Sequence, residues 1–458
     1  MKKLTLSNFL LPLLAATAHA QVYAAGLSSM QDLAGVPSAG TEDSYANAVS
    51  ADGSVVVGRV EYGSRGNYHA FRWTIDGGMQ DLGDFTANNT GWSVASAVSA
   101  DGSVVVGQAD YSNIGAHAFR WTSAGGMQDL GDLTASGTGI SVATAVSADG
   151  SVVAGNASYG SNWRPHAFRW TIAGGMQDLG DLTASGTGMS YANAISADGS
   201  TVVGGADYGT GANSHAFRWT SAGGMQDLGD LTASGTGRSS ASAVSADGSV
   251  VVGQAGYGSG VKYHAFHWTS AGGMQDLGDF TASGTGWSQA YAVSTDGRVV
   301  VGSADYGSGV NMHAFRWTSD GGMQELGDLT ANGTGWSVAT AASADGSVVV
   351  GDASNYSAGQ HAFRWSSDGG IQDLGDLTAD GTGWSTASAV SADGRTVVGS
   401  SLNDQGLARA FIYRTKMQDT GNLQSSLPKL AADKELAAAR QQMRMDHLLQ
   451  TQCATGKA

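Results

Sequence analysis

The chain has 458 residues, among them 69 glycines, 4 prolines and 1 cysteine, and carries a net charge of −16. With 39 acids against 23 bases and no basic cluster, nucleic acid is a poor partner. The single cysteine, Cys453, supports no internal disulfide framework, so stability must come from packing and backbone pairing.

Residues 1–20 read as an export signal. Lys2 and Lys3 give the positive start, Leu4 to Leu14 a short apolar run, and Ala18-His19-Ala20 a small-x-small cleavage pattern. Its removal takes the net charge from −16 to −18. The apolar run is too short to span a bilayer, and no later stretch reads as a transmembrane helix. The expected location is therefore outside the cytoplasm, secreted or at the cell surface. Residues 21–44 form a leader with one β-prone segment, Met30 to Leu33.

From about residue 45 to 421 the chain repeats itself. The string HAF recurs at His69, His117, His166, His215, His264, His313 and His361, with spacings of 48, 49, 49, 49, 49 and 48 residues. An eighth copy survives as Ala408-Arg409-Ala410-Phe411. One period, read from Ser93, holds four short β-prone runs. Val94 to Ser99 alternates small and apolar residues before Asp101-Gly102, a hairpin dipeptide. Val104-Val105-Val106 reads as a strand buried on both faces. His117 to Thr122 places Phe119 and Trp121 on one side, and Gly125-Gly126 turns the chain into Met127 to Leu130.

Four antiparallel strands per period of this length predict one propeller blade each, hence an all-β propeller of about eight four-stranded blades. Seven blades or a β-solenoid are the alternatives. The Asp-Gly turn occurs eight times, from Asp52 to Asp393, whereas the fourth-strand motif occurs nine times, from Met30 to Met417. One strand is therefore spare, and Met30 to Leu33 can complete the blade that begins near Ser388, removing the free edge, with the choice of spare between the Met30 and Met417 copies open. After residue 422 the composition changes, and Leu427 to Gln450 predicts a helix of a C-terminal linker or tail.

The seven histidines suggest a metal, but blades packed about 10 Å apart keep imidazoles from sharing one zinc. Each is expected to pack and hydrogen-bond between blade layers. Acids three residues apart, such as Asp81 and Asp84 or Asp129 and Asp132, admit Ca²⁺ as the one conceivable cofactor. The preferred reading is that they charge an outer edge strand against aggregation. Neither a glycosidase carboxylate pair nor a nucleophile elbow stands out, and no blade looks broken by unique polar residues, so no enzyme is expected.

Alternation puts the Asp-Gly and Gly-Gly turns on one end of the ring and the two variable connections on the other. The loops between second and third strands include SYGSNWRP, with Trp163, and GYGSGVKY, with Tyr263. The position after Thr-Gly is Trp92, Ile140, Met189, Arg238, Trp287, Trp336 and Trp384. Aromatic residues among Ser, Gly, Asn and Tyr make a recognition composition. Trp92, Trp163, Arg238, Tyr263, Trp287, Trp336 and Trp384 are the candidate ligand-binding residues.

The ordered motifs SADGSVVVG, HAFRWT and GGMQDLG resemble the HAF-repeat family of bacterial extracellular proteins over roughly residues 45 to 421. The resemblance implies an autotransporter passenger whose C-terminal outer-membrane barrel is missing from this chain, with Leu427 to Cys453 as the lead-in segment. It implies place and architecture more than mechanism. The expected function is an adhesin-like passenger recognising a host or matrix protein or a glycan. A secreted carbohydrate-active enzyme and a structural spacer without a ligand are the alternatives.

Overall fold

The computed structural model describes residues 29–33 and 42–415, apart from 63–65, 112–114, 161–163, 211–212, 261, 308–310 and 356–358. The export segment, Trp163, the Met417 copy, the predicted tail helix and Cys453 lie outside the described residues.

Each repeat contributes an antiparallel sheet, joined in three blades by a two-residue parallel strand from the preceding repeat, and eight sheets make a β-propeller of eight blades. In blade 2 the strands are Ser93–Val98, Val104–Asp110, Ala116–Thr122 and Gly126–Asp129. First strands of neighbouring blades pack against one another and form the inner wall of the ring. The short fourth strands lie outermost. The core is therefore divided into eight layers between blades. Val105, Phe119 and Trp121 of blade 2 face Val55, Val57 and Leu82 of blade 1, while Val104 and Val106 face the opposite way, into blade 3. A strand buried on both sides needs an unbroken valine run, and this is why the period-2 signal vanishes there. Each fully buried phenylalanine contributes about 1.5–3 kcal/mol.

The strand that completes blade 8 is the N-terminal one. Gln31–Asp32 pairs with the third strand of blade 8, Gln31 opposite Ile412 and Asp32 opposite Phe411. Leu33 extends the pairing through its amide to the Ala410 carbonyl at 2.9 Å. No helix occurs among the described residues.

Two further sets of bonds close the ring. Backbone amides run in a complete cycle, Ala51 to Ala100, then Ala148, Ala197, Ala246, Thr295, Ala344, Ala392 and back to Ala51, at 2.8–3.0 Å. The arginine after HAF donates its Nε–H to a glycine carbonyl in the next blade, as in Arg120 to Gly150 at 3.1 Å and Arg169 to Gly199 at 3.0 Å. Both sets lie at the constant end.

The turns differ from the hairpin expected. Ser99 pairs with Val104, so Ala100 to Ser103 form a four-residue loop, not a two-residue Asn-Gly-type turn. Asp101 accepts bonds from the Ser99 and Ser103 hydroxyls and the Ser103 amide, at 2.7–3.0 Å. Gly102 sits at φ 70°, and a Cβ on it would lie 2.3 Å from Val55 Cγ2 of the preceding blade. Glycine is required there twice over, by backbone angle and by close approach. Each first strand also carries a bulge, as between Ala192 and Ala194, and Asn193 uses it to donate to the Ala241 carbonyl of the next blade at 2.7 Å.

Candidate functional site

The repeated polar residues come together first. In all seven HAF copies the buried histidine Nδ1 lies 2.6–3.0 Å from the acid of the fourth strand. Nε2 lies 3.2–3.8 Å from the second acid. In five copies Nε2 is also 3.0–3.2 Å from a glycine carbonyl leading into the next blade. The second acid has no exposed side-chain surface, and Asp84 accepts the Gly91 amide at 2.9 Å.

This overturns the reading of those acids as edge charges. One faces a buried histidine and the other is buried outright, capping the loop between blades. Burial is the largest single influence on His69 and opposes its charged form. The hydrogen bond and charge of Asp81, the charge of Asp84 and the Gly91 carbonyl together outweigh it and raise the pKa above the usual value.

The loop tyrosines are also partly structural. Tyr62, Tyr111, Tyr159, Tyr208, Tyr257 and Tyr306 stack on the histidines with ring centroids 4.0–4.3 Å apart. In blade 7, Asn355 takes this place and donates to Asp373 at 3.0 Å. The repeated part of the variable end is thus a lid over the histidine–acid pairs. A fixed offset of twelve residues from histidine to acid, present in every copy, is the signal by which the sequence could have revealed the pairing.

The variable connections do share one end of the ring. One hollow there is lined by Asn213 at the start of a third strand, by Ser259 from a loop between second and third strands, and by Thr236 and Arg238 from the inter-blade connection. The residue two before each histidine often ties these loops together: Asn67, Arg164, Asn213, Lys262 and Asn311 each donate to a threonine carbonyl 23 residues on, at 2.5–3.3 Å.

Trp92, Trp287, Trp336 and Trp384 are half-buried and precede the inner strands of blades 2, 6, 7 and 8. Their carbonyls accept amides from the second strands at 2.7–2.8 Å, which fixes their backbone. Arg238 is exposed and Tyr263 half-buried, and both line the same hollow between blades 4 and 5. Blades 3 to 5 thus carry Ile140, Met189 and Arg238 where those four blades carry tryptophan.

Sequence reading missed a second variable position. After the glycine of each second strand stand Arg59, Gln108, Asn156, Gly205, Gln254, Ser303, Asp352 and Ser400. Asn156 accepts the Ala192 amide of the next blade at 2.7 Å, and Arg59 lies over the rings of Tyr45 and Tyr68 at 4.7 and 5.1 Å. Asp352 has no hydrogen-bond or ion-pair partner among the described residues, and burial pushes its carboxyl up to about 6. No group of three or more His, Cys, Asp or Glu side chains able to hold a metal occurs among the described residues.

No protein-family model matches the chain, and no curated protein matches it in sequence. Among solved structures, prolyl oligopeptidase B from Galerina marginata is similar at a TM-score of 0.50 and 11% identity, over 86% of this chain and 59% of that one. The β-propeller domain of the Trilobed protease from Pyrococcus furiosus aligns at 0.45 and 9%, over 81% and 95%. TolB from Acinetobacter baumannii aligns at 0.34 and 14%, over 68% and 67%. At these identities the likeness is one of fold.

Proposed function

We propose that the protein is an exported binding module, secreted or held at the cell surface, that recognises a partner through the variable end of its propeller. The observation that carries this reading is the segregation of differences. Bonds that build the ring repeat at the constant end, whereas departures from the repeat gather among the loops and inner-strand starts of the other end. A rigid ring that presents unlike loops on one side suits recognition. The export segment read from residues 1–20 supports a place outside the cytoplasm, and the partner is a host or matrix protein or a glycan.

We read the protein as non-enzymatic. Asp207 is the one carboxylate lining three hollows on blades 3 to 5, whereas glycoside hydrolysis needs two in different environments.

The test is an array of glycans and matrix proteins probed with the full chain. Binding to a hit should weaken in Trp92→Ala, Trp287→Ala, Trp336→Ala or Trp384→Ala variants that keep their β-sheet spectrum. It should persist in Arg298→Ser and Arg395→Ser, which restore the common residue of the constant turn. The reverse pattern would overturn the reading.

A further inference from the structure

Resting on that reading, the three hollows of the variable end narrow the ligand class. They lie side by side on blades 3, 4 and 5. The first, of about 220 Å³, is lined by Ile140, Val142, Asn156 and Tyr191. The second, of about 440 Å³, shares Asn156 and Tyr191 and adds Asn193, Gly205, Asp207 and Ser240. The third, of about 250 Å³, begins at Asn213, next to Ser214 of the second, and holds Arg238, two residues from Ser240. The first two share residues and form one groove, and the third adjoins its end along the chain.

The groove exists because the repeat is broken here. Gly205 is the one copy without a side chain at its position, and a Cβ there would lie 3.3 Å from Ser240 Oγ, so a longer side chain would occupy the central hollow. Where blades 2, 4 and 6 carry Asp110, Asp207 and Asp305, blade 5 carries Gly256, beneath Arg238. The exposed cations of this end among the described residues, Arg164, Arg238 and Lys262, fall in the same sector. The arginine after HAF serves the ring, as Arg72, Arg120 and Arg218 do toward glycine carbonyls.

The lining chemistry is that of a sugar site. Tyr191, 42% exposed as a residue, offers a flat ring of pyranose size. Asn156 spends its carbonyl oxygen on Ala192 and so turns its amide hydrogens to the hollow. Asn193 spends its amide on Ala241 and offers its oxygen. Asp207 holds the Met189 amide through one oxygen at 2.9 Å, with the second able to accept a hydroxyl. At the far end the Arg238 guanidinium is steadied by Asn213 Oδ1 at 3.4 Å. Donors and acceptors alternate along the central hollow, and positive charge stands at one end.

We propose that this groove binds an anionic oligosaccharide, with a sugar ring over Tyr191, hydroxyls on Asn156, Asn193, Asp207 and Ser240, and a carboxylate or sulfate at Arg238. A planar bidentate donor suits either anion.

Titration of the full chain with a hexuronate oligomer, its carboxyl-reduced neutral form, a sulfated oligosaccharide and poly-glutamate tests this. The uronate or the sulfated sugar should bind about tenfold tighter than the neutral sugar at low salt, the order of one charge-assisted contact. Which of the two prevails identifies the anion. Arg238→Met, which installs the residue of the neighbouring blade, should abolish that preference and leave neutral binding. Gly205→Gln, the residue of blades 2 and 5, should remove both. The proposal falls if charged and neutral sugars bind alike, if both variants bind as the parent does, or if poly-glutamate binds and the sugars do not. A ligand lost in Trp336→Ala yet indifferent to both variants would overturn this inference and leave the face reading standing.

Discussion

Arg409 donates from Nε to Asp32 Oδ2 at 3.0 Å, across 377 residues of chain, and from an end nitrogen to the Glu42 carbonyl at 2.9 Å. Arg409 stands in the eighth blade where the others have histidine, and Asp32 stands where they have the fourth-strand acid. The decayed copy has therefore changed its cation and kept the pair. Here the pair joins the two ends of the ring, because Asp32 belongs to the N-terminal strand that completes blade 8. Arg409 is only 4% exposed, so removing Asp32 strands a buried charge. Asp32→Ala should cost about 1–3 kcal/mol in denaturant unfolding. It should also speed amide exchange at Leu33 before that of the inner strands. Arg409→His should be tolerated better than Arg409→Ala, because it restores the pair of the other seven blades. Equal losses would show that the acid does not anchor the closing strand.

The histidine–acid pairs make stability depend on pH. His69, His117, His166, His215, His264 and His361 all have folded pKa values above the ordinary one; burial opposes their charge, and the facing acids more than offset it. A raised folded value means the contribution is full below the unfolded value of about 6.5 and fades as pH rises through the folded one. The acid limit comes from the turns. Asp149 and Asp247 are held down to about 2 by serine hydroxyls and amides, so their contribution is lost as pH falls below the usual carboxylate range. Urea midpoints should peak between roughly pH 4.5 and 6.5 and decline toward pH 9. His215→Gln should lower the midpoint at pH 6 and reduce the drop between pH 6 and 8.5. A parent profile that is flat from pH 5 to 8.5 would contradict the assignment.

Much of the fold was legible because each strand and turn is a local signal repeated eightfold. Val104 to Val106, Phe119 with Trp121, and Asp101-Gly102 mark a doubly buried strand, a one-sided strand and a turn without reference to distant residues. The closing strand was only half legible. Met30 to Leu33 and Met417 to Thr420 carry almost the same pattern, and pairing across 380 residues leaves no local trace. The acids were misjudged because Asp81 and Asp84 were compared with each other and not with His69. Gly205 was invisible among 69 glycines. Only strand register shows that it fills a slot held elsewhere by Arg59, Gln108 or Asp352.

Two glycines separate backbone angle from close approach. Gly102 and Gly126 have φ of 70° and 66°, but a Cβ meets Val55 Cγ2 at 2.3 Å in the first and nothing within 4 Å in the second. Gly126→Ala should cost about 1–2 kcal/mol, the left-handed penalty alone. Gly102→Ala should cost about 2–5 kcal/mol, since it adds overpacking against the neighbouring blade. Parallel thermal and urea unfolding of the two variants measures the difference, and equal costs would mean that blade 1 yields freely to the intruding methyl.

Asp352 offers the opposite experiment, a gain in stability. Its equivalents are mostly uncharged, and its carboxyl, pushed up to about 6 by burial, has no partner among the described residues to repay desolvation. Unfolded, the same carboxyl titrates near 3.9. The folded state therefore pays nothing below that value, an increasing cost between it and about 6, and the full cost above. Asp352→Asn keeps the shape and removes the charge, and Asn156 shows that an asparagine fits this slot. The variant should be more stable by about 2–3 kcal/mol at pH 7.5 and equal to the parent at pH 4. A gain that persisted at pH 4 would mean that packing, not charge, separates the two. A loss at pH 7.5 would mean that the ionised carboxylate is held by groups that its surroundings do not show.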